Sequence, residues 1–152
     1  MSATVVFVVE RARPEDLDAV IRLSARVFPE EYQDTFFSAM LEVAGETFLV
    51  ARDIGTMRFL GFALATRSTT AEARLLLLAT VPDQRGKGLG GRLLRETEAR
   101  LRRKGCLGVF LEVREDNLPG IRFYHRHGYE ITGSVSGFYQ DGSKAVVMQK
   151  GL

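Results

Sequence analysis

The residues whose types and spacing best suit chemistry lie between Pro82 and Gly91. The run Pro82-Asp83-Gln84-Arg85-Gly86-Lys87-Gly88-Leu89-Gly90-Gly91 follows a strongly apolar stretch and leads into a helical pattern. Glycines let a backbone turn its N–H groups outward and let a ligand come close. A helix start adds about half a positive charge, and Arg85 and Lys87 add whole ones. Together these make a phosphate cradle. Lys87 is followed by Gly88, not Ser or Thr, so the pattern is not a nucleoside-triphosphate loop. Gly86, Gly88 and Gly91 do satisfy Gly-x-Gly-x-x-Gly. However, the pattern does not follow an opening strand near the N-terminus, and no acidic residue closes the next strand about 20 residues on, which disfavours a dinucleotide. At this level a glycine-rich surface turn with solvated Arg85 and Lys87 remains the competing reading.

Other reactive side chains carry less. Cys106 is the single cysteine, with no activating base in view, and reads as a small buried hydrophobe. No Cys/His spacing suits a metal, so none is expected. His125 and His127 stand two apart on a helix and point to different faces. Arg92, Arg95, Arg100, Arg102, Arg103 and Lys104 are interrupted by Glu96 and Glu98, which reads as a solvent face and not a nucleic-acid helix.

The elements that must position the loop follow from hydrophobic periodicity. Strands are expected at 5–9, 47–52, 58–66, 72–81 and 107–113, with further candidates at 129–131, 134–139 and 144–149. Helices are expected from Pro14 to Val27, at 35–43, from Leu89 to a stop at Gly105, and at 118–127 with Gly128 as terminator. Asp141-Gly142 suits a hairpin turn. Mixed helices and strands around a central β-α-β unit predict an α/β or α+β sheet covered by helices. The length of 152 residues, 45% of them hydrophobic, is that of a single domain spanning 1–152. A formal charge of +2 implies no large polyanionic partner such as nucleic acid. No apolar run reaches the ~18–20 residues of a membrane span. The expectation is a soluble cytoplasmic protein.

Arg85-Gly86-Lys87-Gly88-Leu89-Gly90 resembles the Arg/Gln-x-x-Gly-x-Gly/Ala motif of the GNAT superfamily of acyl-CoA N-acyltransferases. Pro82, Asn117, Tyr124 and Gly128-Tyr129 match further family signatures, and the resemblance spans nearly the whole chain. It implies a mixed, mostly antiparallel sheet of about seven strands. The fourth and fifth would be splayed, and about four helices would flank the sheet. It also implies acetyl-CoA as co-substrate. Main-chain groups of Leu78, Ala79 and Thr80 would then pair with its pantetheine arm and acyl carbonyl. Arg85, Gly86, Lys87, Gly88, Leu89, Gly90 and Gly91 would hold the pyrophosphate, and Asn117 would touch the arm. Arg122 and Arg126 would meet the 3′-phosphate or form a solvated basic face.

The stretch Leu111-Glu112-Val113-Arg114 with Asn117 and Tyr124 resembles the RimI-type ribosomal-protein N-terminal acetyltransferases. That resemblance implies Glu112 as general base, direct or through water, and Tyr124 as the acid protonating the thiolate. A solvated Glu112, or one paired with Arg114, is the plainer alternative; for Tyr124 it is core packing. Phe28-Pro29-Glu30-Glu31-Tyr32 and the Phe138-Tyr139 hairpin are similar to the peptide-clamping segments of eukaryotic N-terminal acetyltransferases. This implies Phe28, Pro29, Tyr32 and Tyr139 as acceptor contacts. One eukaryotic branch handles protons with a strand tyrosine and a histidine; Arg74 and Glu112 stand there instead. The implied acceptor is a protein or peptide N-terminus. A small-molecule amine, or a non-catalytic acyl-CoA sensor domain, is the alternative. Many relatives pair as dimers, and the resemblance extends that expectation here.

Overall fold

The computed structural model describes residues 6–152. In chain order the elements are β1 (Phe7–Arg11), a 3-10 turn (Pro14–Asp16), α1 (Leu17–Val27), α2 (Asp34–Val43), β2 (Phe48–Asp53), β3 (Phe59–Arg67) and β4 (Glu72–Thr80). A second 3-10 turn (Pro82–Gln84), α3 (Leu89–Arg103), β5 (Gly108–Arg114), α4 (Leu118–Arg126), β6 (Glu130–Val135) and β7 (Ala145–Gly151) follow. Val5, the first residue of the expected opening strand, lies outside the described residues.

The strands form one seven-stranded sheet in the order β1-β2-β3-β4-β5-β7-β6. The β1–β2, β2–β3, β5–β7 and β6–β7 pairs are antiparallel, and β4–β5 is parallel. Parallel neighbours need a crossover, which α3 supplies. The β4–β5 ladder joins Glu72 to Gly108, Ala73 to Val109 and Arg74 to Phe110, although β4 runs on to Thr80 and β5 to Arg114. The expected class, about seven strands and about four helices are found among the described residues.

The chain divides into two compact units. One holds the described residues up to Ala65 together with Leu77–Arg100. Its core contains Leu49, Ala51, Leu60, Ala63, Leu89 and Leu93, with Phe7, Val9, Leu78 and Val81 packed against them. The α3 residues Leu89, Leu93, Leu94 and Thr97 are buried, as the helical spacing predicts. The other unit holds Thr66–Leu76 and Leu101–Leu152. There Val109, Leu111 and Val113 alternate inward along β5, and Tyr129, Ala145 and Met148 are buried.

One expectation is corrected. The strand candidate at 134–139 fails beyond Val135, and 136–144 form a long turn-rich connection. Gly137 and Gly142 adopt φ +65° and +84° there, which breaks the extended chain that aromatic content alone favours. Among the described residues no helix is long and apolar enough to cross a membrane.

Candidate active site

The glycine segment is built by torsion, not by crowding. The amides of Gln84 and Arg85 close the 3-10 turn on Val81 O at 3.1 Å and Pro82 O at 3.4 Å. Gly86 and Gly88 then take φ +79° and +82°, where side chains are disfavoured. A Cβ at either would meet nothing within 4 Å, so only the backbone conformation requires glycine. Arg92 N–H donates to Gly88 O at 3.0 Å, and amides nearer the helix start have no intrahelical acceptor. Gly90 and Gly91 therefore sit in the first turn of α3, not in a loop, and their amides still belong to the helix's anion-favouring end. Leu89 is 1% exposed and packs in the core with Leu49, Leu60 and Leu93. Arg85 and Lys87 are exposed. Asp83 anchors the approach, accepting from Arg58 Nη2 at 3.0 and 3.1 Å. The Arg58 guanidinium holds the Asp83 carboxyl below the usual carboxylate range.

The end of β4 is shaped by a residue that sequence reasoning passed over. A Cβ on Gly61 would stand 2.5 Å from Ala79 O and 3.1 Å from Thr80 Cα. Glycine there lets β3 press on the main chain of 79–80, and Val81 N–H donates to Leu60 O at 2.8 Å beside it. An isolated glycine inside a strand pattern was the available signal. Leu78 and Thr80 are half-buried, and Ala79 is buried.

In the other unit Glu112 lies on β5 and is paired, but with Arg74 and not with Arg114. Arg74 faces Phe110 across the parallel ladder, and Glu112 lies two residues further on the same face. Long side chains span such a diagonal. Arg74 Nε stands 2.9 Å from Glu112 Oε1 and 3.0 Å from Oε2. Arg114 turns instead to Asp141, Nη1 to Oδ2 2.9 Å, with its guanidinium carbon 4.4 Å from the Tyr139 ring centroid. Two Ser143 contacts, its backbone N–H first, and then Arg114 bring the Asp141 carboxyl down to about 2. Phe138 stands edge-on to Tyr139, with centroids 4.9 Å apart.

Tyr124 packs from α4 onto Tyr129, with centroids 5.7 Å apart and planes at 70°. Tyr129 is fully buried. Burial pushes the Tyr124 phenol above its ordinary value, and Tyr139 adds to the rise. The phenol is therefore protonated at neutral pH and able to donate. Asn117 caps α4, its Oδ1 accepting from Gly120 N–H at 3.1 Å. A Cβ on Gly120 would lie 2.5 Å from Asn117 Nδ2, so the cap needs glycine at that position. His127 Nδ1 pairs with Phe123 O at 2.8 Å while His125 is exposed, in keeping with their different faces. Arg122 and Arg126 are exposed.

Phe28, Pro29 and Tyr32 lie between α1 and α2. The Tyr32 ring stacks on Phe36 at 5.5 Å and meets Phe28 at 6.2 Å and Phe37 at 6.1 Å. Phe37, fully buried, continues the aromatic series to Phe62. The Tyr32 ring is thus fixed by packing.

One unit thus carries an amide-rich helix start that suits a phosphorylated ligand, and the other carries a strand carboxylate and a protonated phenol that suit proton transfer. Residues 17–129 match the acetyltransferase (GNAT) family profile. The chain belongs to that family. It is accordingly an acetyl-CoA-dependent N-acetyltransferase. The N-alpha-acetyltransferase of Saccharolobus solfataricus is 26% identical over 156 residues, covering 96% of this chain and 93% of that protein. A candidate [ribosomal protein bS18]-alanine N-acetyltransferase of Bacillus subtilis is 28% identical over 143 residues, covering 92% of each. The crystal structure of Ard1 from Thermoplasma volcanium superposes with a TM-score of 0.92 at 30% identity, covering 97% of this chain and 99% of that one.

Proposed function

We propose that this GNAT acetyltransferase, as a single domain across 1–152, acetylates the α-amine of a protein or peptide N-terminus in the cytoplasm. The observation that carries the reading is the near full-length likeness to an N-alpha-acetyltransferase. The glycine segment fits acyl-CoA on its own geometry: two left-handed glycines and a helix start offer amides beside Arg85 and Lys87.

In this reading the amides of 86–91, with Arg85 and Lys87, hold the pyrophosphate. Main-chain groups of Leu78, Ala79 and Thr80 bind the pantetheine and acyl carbonyl, and Asn117 meets the arm. A main-chain N–H near Ala79 faces the developing oxyanion. Glu112 takes a proton from the incoming ammonium, directly or through water. Tyr124 donates one to the departing thiolate. Phe28, Pro29, Tyr32 and Tyr139 contact the acceptor.

A thiol-release assay with a panel of N-terminal peptides tests the acceptor. Turnover of several peptides with slow turnover of polyamines, amino acids and antibiotics is expected. The opposite preference would reassign the chain to small-molecule amines. Glu112→Gln and Tyr124→Phe are each expected to slow turnover about 10²–10⁴-fold with little change in CoA affinity. Unchanged turnover in both removes the two role assignments.

A further inference from the structure

We infer that Arg74 selects acceptors that carry a carboxylate close to the reacting amine, in a peptide an acidic first or second residue. The inference deepens the reading above and rests on it, because it takes Glu112 as the group that meets the amine.

Arg74 serves Glu112 through Nε alone, which reaches both carboxylate oxygens, at 2.9 and 3.0 Å. Among the described residues neither Nη1 nor Nη2 of Arg74 donates to a protein acceptor. Those two nitrogens form the outer fork of the guanidinium, the edge that meets a carboxylate with two parallel bonds. The plane of that fork is held on two sides. Glu112 ties Nε, and the Phe138 ring lies with its centroid 6.0 Å from the guanidinium carbon. The Arg74 side chain is 36% exposed, so the fork is open to a ligand.

Two other guanidiniums among the described residues are spent on protein partners. Arg114 bonds Asp141 through Nη1, covers Tyr139 and is 17% exposed. Arg52 bonds Asp16 and Glu10 through Nε, Nη1 and Nη2. Arg74 combines a held plane, solvent access and an unused fork with a place beside Glu112, the group read as meeting the amine.

The charges agree with the geometry. Glu112 and Arg74 together are neutral, so the pair does not repel a further anion. An acceptor with an ammonium and a nearby carboxylate matches the pair in reverse, ammonium to Glu112 and carboxylate to Arg74. Such an acceptor could be an acidic peptide N-terminus or a free amino acid bearing its own carboxylate. The shared chemistry is the amine with its near carboxylate.

The test is kcat/KM of the full chain with acetyl-CoA on matched acceptors. Otherwise identical peptides carry Asp against Asn, and Glu against Gln, first at position one and then at position two. Free aspartate and asparagine, and glutamate and glutamine as their N-methylamides, form a second arm. The acid is expected to be favoured over its amide by roughly 10-fold or more at one position, the scale of a charge-assisted pair. Arg74→Gln is expected to bring that ratio close to one, and Arg74→Glu to favour Lys in place of the acid. If Arg74 served only to hold Glu112, its loss would slow acid and amide alike and leave the ratio unchanged. A wild-type ratio near one at both positions, or a ratio that survives in Arg74→Gln, overturns the inference. Should Arg74→Gln not fold, Arg74→Lys decides, since it keeps the charge, loses the fork and must still lower the ratio. Peptide turnover without acid preference removes the Arg74 assignment and leaves the peptide reading standing. Acid preference confined to free amino acids removes the peptide reading and leaves Arg74. No turnover of any acceptor removes both.

Discussion

Arg52 on β2 closes a two-pronged ion pair with Asp16, 36 residues earlier, Nη1 to Oδ1 2.6 Å and Nη2 to Oδ2 alongside. Arg52 is 7% and Asp16 5% exposed. Arg52 Nε also reaches Glu10 Oε1 at 2.6 Å, and Arg13 N–H donates to Asp16 at 2.7 Å. Buried charges persist only when paired and bonded in this way. The pair joins the strand that opens the described chain, the turn before α1 and the second strand.

Removing one partner strands the other. Asp16→Asn is expected to destabilise the fold by about 3 kcal/mol, because breaking a buried pair leaves an uncompensated charge. Urea unfolding of the variant beside the wild type measures it.

The same pair gives a pH dependence. Burial alone would raise the Asp16 carboxyl, but the Arg52 bonds and charge, with Arg13 N–H, outweigh burial and hold it below its ordinary value. A carboxyl depressed by folding contributes stability that is complete above its unfolded value, near 4, and is lost as pH falls through the folded one. The urea midpoints of wild type and Asp16→Asn should therefore stay apart at neutral pH and converge below about pH 4. A gap constant down to pH 3 contradicts the assignment.

Tyr124 predicts the alkaline behaviour. Its phenol is raised above the ordinary value, so it stays protonated through the range in which the fold can be assayed. Turnover should show no falling limb below pH 10 that disappears in Tyr124→Phe. Such a limb, present in the wild type and absent in the variant, would mean that the phenol ionises earlier.

Gly86 and Gly88 predict a separation of stability from affinity. Alanine at either is expected to cost roughly 1–2 kcal/mol from the left-handed torsion. Acyl-CoA affinity should fall further than that strain accounts for, because the amide directions change. Calorimetry with CoA and thermal melts of the same variants read the two effects.

Gly120→Ala is expected to push the Asn117 side chain away and cost about 1 kcal/mol, the worth of an N-cap. KM for acetyl-CoA should rise in step if Asn117 touches the carrier. A variant with wild-type melting and KM would show that the cap had simply moved aside.

Most of the framework was legible in the residues. The inward positions of α3 follow from helical spacing, and Gly105 and Gly128, at φ +91° and +93°, mark helix ends that the sequence announces. The site was legible where the signal is local, as in the glycine segment. Long-range partners were not. Glu112 has Arg114 two residues away, and nothing in one dimension says that Arg74, 38 residues earlier, is the group it meets. That pairing needs the parallel register. The role of Gly61 was hidden for the same reason, since the carbonyl it accommodates belongs to the next strand. The strand expected at 134–139 ends at Val135, where the left-handed Gly137 turns the chain and leaves Phe138 and Tyr139 against Arg74 and Arg114.

Asn117 and Gly120 are not independent letters. The amide nitrogen of the first fills the space a methyl group on the second would take. A larger residue at 120 becomes cheap only once 117 has shrunk, so the double change should cost less than the sum of the single ones. A library that varies one codon at a time would discard both halves of that solution before meeting it whole.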